Sequence, residues 1–205
     1  MKSFLLINLI VVVTLLTFNS CKKTISTTDI NDDYFPLAVG NYWELSHRGT
    51  YTVDQIVNIE GKQYFRVTFA SNLSTTLPPI RDTMYYRKTA DGKVYKRDHA
   101  TNEYLKFDFK ATKGQSWNYK RENVPIDDNF TWKATLKSVS DTLHLGNDII
   151  ENCYRYYFDI FQMADEEEII TLAPGIGIVK ESYPGGWADR IALKKVKING
   201  VVREF

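Results

Sequence analysis

The sequence predicts an all-β fold, and three observations carry that expectation. Apolar and polar residues alternate with period two in one segment after another, turn dipeptides fall between those segments, and no segment after Asp33 keeps a helical period. A strand that buries one face needs this alternation, because successive side chains point to opposite sides of the sheet.

Taken from the N-terminus, the first element is an export signal at residues 1–20. Lys2 precedes an apolar run from Phe4 to Phe18 that is broken only by Asn8, Thr14 and Thr17 and ends at Asn19 and Ser20. The run falls short of the roughly 20 apolar residues that span a bilayer. Ser20 stands directly before Cys21, with Leu15 and Leu16 just upstream, and this junction resembles a lipobox. That resemblance implies that the Cys21 thiol takes a diacylglycerol and that cleavage before it leaves Cys21 as the acylated N-terminus. The alternative is an ordinary secreted protein with a chance cysteine. Several acyl chains, each methylene contributing about 0.8 kcal/mol, make attachment stable where one chain does not. Residues 21–33, which include KKTISTTDINDD, bury little and read as a lipidated tether.

Residues 34–205 are long enough for one β-rich domain with a sizeable core and carry no Pro- or Ser-rich linker. Phe65, Val67 and Phe69 alternate with Arg66 and Thr68, and Leu105, Phe107 and Phe109 with Lys106 and Asp108. Phe130, Trp132, Ala134 and Leu136 form a third series, and Tyr154, Tyr156, Phe158 and Ile160 a fourth. Glu60-Gly61, Asp91-Gly92, Lys113-Gly114, Gly146-Asn147-Asp148, Pro184-Gly185-Gly186 and Asn199-Gly200 supply turns that tolerate positive φ. The expectation is an antiparallel meander of about ten to twelve strands, forming a sandwich or an open or closed barrel.

Composition narrows the function classes. The chain has 26 Lys plus Arg against 25 Asp plus Glu. With no basic excess to release counterions from phosphates, nucleic acid is not an expected partner. Only two cysteines occur; with Cys21 lipidated, Cys153 has no partner in the chain and reads as a buried, inert thiol. His47, His99 and His144 lie at no metal-ligand spacing, so neither a metal nor a cofactor is expected. The acidic run Asp165-Glu166-Glu167-Glu168 lacks EF-hand spacing and reads as a solvated hairpin tip. No nucleophile elbow, P-loop or other catalytic motif appears, so no catalytic residue is assigned and the expectation is a non-enzyme.

Two phrases, YFPLAVGNYWEL at 34–45 and LAPGIGIVKES at 172–182, have a structural content of their own. Pro36 and Gly40 bend the start of the domain, Trp43 turns its ring to the core, and Gly175 and Gly177 allow a close backbone approach. Together with YYRKTADGKVY and a later KGQSW, the phrases resemble the uncharacterised Bacteroidetes-type lipoproteins with an F-P-L-x-x-G-x-x-W start and an A-P-G-x-G-x-V-K phrase near the end. The resemblance implies a lineage, not an activity. Within that lineage Asp82-Thr83-Met84 and Asp141-Thr142-Leu143 match a short O-glycosylation pattern, making Thr83 and Thr142 the acceptors.

Three functional readings follow. The first is a lipid-anchored, non-catalytic envelope protein whose β-domain binds an apolar or glycan ligand or a protein partner, with Tyr183 and Trp187 as exposed stacking contacts. The alternative for Trp187 is that it closes the core beneath its own loop. The second reading is a structural or assembly subunit of an envelope complex, which an exposed apolar patch favours. The third is an envelope hydrolase, which two convergent carboxylates in a cleft favour. The lipid makes the membrane a partner, with the outer membrane as the expected location. A periplasm-facing position is preferred over the surface, because Lys22, Lys23 and Thr24 follow Cys21 without an early acidic cluster.

Overall fold

The computed structural model describes residues 33–71, 81–97, 103–119, 132–161, 166–184 and 191–205. The signal, Cys21, most of the tether, His99, Phe130, Asp165 and Trp187 lie outside the described residues.

The described chain is all β, as the alternation predicts. Its thirteen strands are β1 (Tyr42–Leu45), β2 (Gly49–Ile59), β3 (Lys62–Ser71), β4 (Arg81–Lys88), β5 (Lys93–Arg97), β6 (Glu103–Asp108), β7 (Ser116–Asn118), β8 (Trp132–Leu145), β9 (Asp148–Ile160), β10 (Glu168–Ala173), β11 (Gly177–Ser182), β12 (Ile191–Ile198) and β13 (Val201–Glu204). The count exceeds the expected ten to twelve because β7 and β13, at three and four residues, are too short to show an alternation.

All pairing is antiparallel within one sheet, in the order β6-β5-β4-β3-β2-β1-β12-β11-β10-β9-β8-β7, with β13 added on β12. Two meanders, β1 to β6 and β7 to β12, are therefore joined where the first strand of one pairs with the last of the other. The sheet curls so that both halves share one core, and of the expected alternatives, sandwich or barrel, the chain adopts a nearly closed barrel. Its end strands, β6 and β7, are neighbours in sequence and share no ladder. Side chains close this seam: Trp117 Nε1 donates to the Leu105 carbonyl at 2.9 Å, and Tyr156 and Tyr154 hydroxyls donate to the Asp108 and Phe109 carbonyls at 2.9 and 3.3 Å.

Turn chemistry matches the sequence reading. Glu60-Gly61 and Asn199-Gly200 both have two consecutive positive φ values, the signature of the tight hairpin turn that suits twisted strands. The segment before β1 packs Phe35 into the barrel, stacked on Trp43 with ring centroids 5.9 Å apart and set edgewise against Tyr86 and Phe107. Asn41, buried beside it, donates to the Pro36 carbonyl and accepts from the Asn199 N–H, each at 2.8 Å, which ties this segment to β12 and β13.

Outward residues depart from simple alternation at Tyr64. It lies on the opposite phase from Phe65, Val67 and Phe69, yet it is fully buried. The cause is a layer of charged side chains: its hydroxyl donates to Glu103 Oε1 at 2.8 Å, and Glu103 also accepts from Arg87 and Lys62. The Arg97 guanidinium spans the Tyr64 ring and binds Glu60 through two hydrogen bonds.

Gly177 shows why the second phrase contains glycine. Trp43 Nε1 donates to the Ile176 carbonyl at 2.5 Å, and a Cβ on Gly177 would stand 2.6 Å from that nitrogen, at a φ of +95°. Gly177→Ala is therefore expected to cost about 3–5 kcal/mol, from overpacking and left-handed strain together. Gly61→Ala, at φ +78° with no atom nearby, is expected to cost only about 1 kcal/mol. Chemical denaturation of both variants checks this; equal losses would mean that Trp43 does not seat on Gly177.

Candidate functional site

The barrel holds a partly open cavity of about 320 Å³ between the β2 to β6 wall and the β10 to β11 wall. Its floor includes Tyr86 and Phe107, the two rings that Phe35 supports from beneath. Six charged side chains line it, Arg48, Asp82, Lys96, Lys106, Glu168 and Glu181, and four of them, Arg48, Lys106, Glu168 and Glu181, pair with one another. Each of these four arrives by an identifiable local route.

Glu168 follows the plain alternation of β10, in phase with Ile170 and Leu172, opposite Phe158, Tyr156 and Tyr154 of β9. The expectation of a solvated tip at 165–168 is thus corrected for Glu168: β10 begins there, and its first side chain points into the lumen. Lys106 arrives through a β-bulge. Val94 pairs with Phe107 but Tyr95 pairs with Leu105, so Lys106 is the extra residue of β6. Both Lys106 and Phe107 then face inward, and the reading of Lys106 as a solvent-side residue is corrected on that ground.

Glu181 depends on a second bulge. Thr171 pairs with Lys180 but Leu172 with Ile178, which makes Val179 the extra residue of β11 and lets Ile178 and Glu181, three positions apart, line the same cavity. Arg48 comes from the turn between β1 and β2, after His47 at φ 55°.

These groups form two opposed pairs. Arg48 Nε lies 2.7 Å from Glu181 Oε2, and Lys106 Nζ lies 3.1 Å from Glu168 Oε2. The Arg48 Nε–H is aimed elsewhere, at the Tyr51 hydroxyl 3.0 Å away. The Arg48–Glu181 contact is therefore an ion pair by proximity, and buried Glu181 Oε2 receives no hydrogen bond. Glu168 accepts from the Tyr183 hydroxyl through Oε1 at 3.1 Å. Aromatic faces hold the cations: the Lys106 ammonium stands 3.7 Å from the Phe158 ring centre, and the Arg48 guanidinium lies over Phe69 and Tyr183.

Burial sets the protonation of the cluster. It pushes Glu181 up to about 7, with Arg48 opposing the shift and Glu168 adding to it. Burial also lowers Lys106, against the pull of Glu168. Arg48 is held more firmly protonated, since Glu181, Tyr51 and Tyr183 together outweigh its burial. Burial raises Tyr51 and Tyr183 too, so both hydroxyls keep their protons.

The residues singled out from sequence are distributed differently. Tyr183 is not an exposed stacking contact: it is partly buried, under Arg48 and against Glu168. Thr83 is half-buried on β4 opposite Thr68, and Thr142 is exposed on β8. Cys153 is fully buried and its thiol is pushed up to about 12 by burial, in keeping with an inert thiol. Among the described residues no cluster of three His, Cys, Asp or Glu side chains could hold a metal ion, and no helix is long and apolar enough to cross a membrane.

No protein-family model matches the sequence, and no curated protein matches it. Two crystal structures are similar in part. One is a candidate lipoprotein from Parabacteroides distasonis, 10% identical over 84% of this chain and 99% of that one, at a TM-score of 0.40. The other is a candidate exported protein with a YmcC-like fold from Bacteroides fragilis, 13% identical over 83% and 98%, at a TM-score of 0.39. Similarity at this level transfers no role to the present chain.

The shifted carboxyl of Glu181 makes stability depend on pH in a stated direction. Between its ordinary value of 4.5 and about 7, the folded chain keeps a proton that the unfolded chain has released. Stability therefore falls as pH rises through that window and loses nothing more from this group above it. Urea midpoints at pH 4.5 and 7 should show the parent losing roughly 1–3 kcal/mol more than Glu181→Gln. Equal slopes in the two proteins would contradict the burial of this carboxyl.

Proposed function

We propose that the chain is a lipid-anchored cell-envelope protein that holds a small polar ligand inside its barrel without acting on it chemically. The observation that carries this reading is the lumen itself: a cavity of about 320 Å³ whose wall is a charge-paired, tyrosine-rich surface. A few convergent polar groups in a concave pocket of this size are what small-molecule sites present. An apolar ligand is disfavoured, since it would bury the charged pairs further without bringing polar groups of its own. The anchor rests on the Ser20-Cys21 junction and the export signal before it. The outer membrane, the periplasm-facing orientation and kinship with the Bacteroidetes-type lipoproteins belong to the same proposal and rest on the sequence phrases alone.

The assembly-subunit reading needs a contiguous apolar patch. Among the described residues the large exposed apolar side chains are Val39, Ile56, Phe161, Val201 and Val202, of which only the last two adjoin in sequence. The hydrolase reading gains more, because Glu168 and Glu181 both line one cavity. Against an acid-base role, each already has a cation within 3.1 Å, and Glu168 also holds the Tyr183 hydroxyl.

Two measurements test the proposal. Fractionation of a bacterial host should find the parent with the membranes and Cys21→Ala in the soluble envelope fraction; equal retention would end the lipoprotein assignment. The soluble Cys21→Ala protein should be stabilised by sugars, amino acids or nucleosides and not by fatty acids. A ligand at a hundred times its Kd adds about 2.7 kcal/mol, which raises Tm by roughly 5–10 °C in a domain of this size. Stabilisation by fatty acids alone would overturn the polar-lumen reading.

A further inference from the structure

Resting on the lipid-anchor reading and not on the ligand, we infer that one end of the barrel seats on the bilayer through Val39, Ile56, Val201 and Val202, and that the cavity lies at the opposite end, away from the membrane. Topology supplies the two ends. Sequential strands run antiparallel, so their connections alternate from one end to the other. The β2–β3, β4–β5, β6–β7, β8–β9, β10–β11 and β12–β13 connections therefore share an end with the entry to β1.

The chain coming from Cys21 arrives at that same end and is fixed there. The Asp33 carbonyl accepts from the Gly175 N–H of the β10–β11 turn at 3.0 Å, and its carboxylate pairs with Lys88 at the close of β4. Tyr34 then donates to the Asn152 carbonyl of β9 at 3.0 Å. From Cys21 to Asp33 the chain reaches at most about 40 Å, so a lipid on Cys21 keeps this end close to the bilayer. The cavity sits at the other end: Arg48 belongs to the β1–β2 turn, and Phe69, Asp82, Tyr104 and Glu168 lie near strand termini on that side. Phe35 closes the floor beneath Tyr86 and Phe107 from the tether side.

Exposed apolar side chains gather where the tether enters. Of the five large ones among the described residues, Val39, Ile56, Val201 and Val202 are at this end, between 44% and 64% exposed, and only Phe161 is at the other. The turn that carries Val39 stands beside the β12–β13 hairpin, because Asn41 accepts from the Asn199 N–H at 2.8 Å. Gly40 donates to the Val53 carbonyl at 2.8 Å, and Ile56 lies farther along β2, past the start of β1. Valine and isoleucine left in water gain by entering the interfacial layer of a bilayer that the tether already holds within reach. Charge is close to balanced at this end: Lys110, Lys113 and Lys197 enter no ion pair among the described residues, and neither do Asp148 and Glu151. Apolar insertion, not attraction to anionic headgroups, thus holds the face down.

The experiment is depth-dependent fluorescence quenching on the lipidated chain, reconstituted into phosphatidylcholine vesicles with and without phosphatidylglycerol. One environment-sensitive fluorophore is attached through Val39→Cys, Val201→Cys or Phe161→Cys, the buried Cys153 thiol staying unlabelled. Lipids with a quencher near the headgroup are expected to quench the Val39 and Val201 labels about threefold more than the Phe161 label, in both compositions. Val39→Asp with Ile56→Asp, at exposed positions where circular dichroism and the melt should match the parent, is expected to lower quenching at Val201 about twofold or more. Equal quenching at the three sites, or the strongest at Phe161, would overturn the inference, as would quenching that needs phosphatidylglycerol. A Cys21→Ala dimer that Val201→Asp separates would assign the face to a second copy and overturn it as well. Mass spectrometry of the parent separates the two readings: a missing diacylglyceryl mass ends the anchor reading and this inference with it, whereas acylated protein without quenching at Val39 and Val201 ends the inference alone.

Discussion

Everything inside this barrel depends on how its two end strands meet. A curled sheet must either complete its ladder or leave two edges with unpaired backbone groups, and β6 and β7 leave theirs open. The indole of Trp117 and the phenols of Tyr154 and Tyr156 take up three carbonyls along the β6 side of that gap. Hydrogen bonds of this kind satisfy backbone groups that the ladder would otherwise serve. They do so from the inward phase of β7 and β9, so the same rings that close the seam also fill the core behind it. Lys106 stands beside the seam, buried on the bulge of β6.

Burial makes the two most enclosed of these charges, Lys106 and Glu181, expensive. Burying an ion pair rarely stabilises a fold relative to apolar residues of the same shape, whereas removing one partner of such a pair costs several kcal/mol. A scaffold of this kind could fill its interior with leucine and valine, as it does around Leu136, Val53 and Leu172. It instead keeps Arg48, Glu181, Lys106 and Glu168 together on the wall of one cavity. Charged groups retained against the stability gradient, gathered in one cavity and shifted in their protonation, are the pattern of a working site.

The strands were legible because alternation and turns report local geometry. Trp43 and Trp132 fall on the buried phase, and the Glu60-Gly61 and Asn199-Gly200 hairpins take the conformation their residues allow. The site was not legible, for a physical reason. Lys106 and Glu181 reach the lumen through bulges, and a bulge shifts the inward phase by one residue without any mark in the hydrophobic pattern. Glu168 looks like the end of a solvated acidic run until the partner strand β9 fixes its face. Tyr64 errs in the other direction, an outward residue buried by long charged neighbours drawn from three other strands and a turn. Cross-strand partners decide all four cases, and pairing register is what a single sequence displays least.

The central claim is that the cavity wall buries Glu181 beside Arg48. Carbon-13 NMR of the glutamate side-chain carboxyls, followed against pH in the mature chain with Cys21→Ala, reads this at one atom. The resonance that disappears in Glu181→Gln identifies the group. The account predicts that it titrates near pH 7, well above the ordinary value of 4.5. A midpoint in the ordinary carboxyl range, about 4.3, would contradict the burial of Glu181 in the cavity wall on which the functional reading stands.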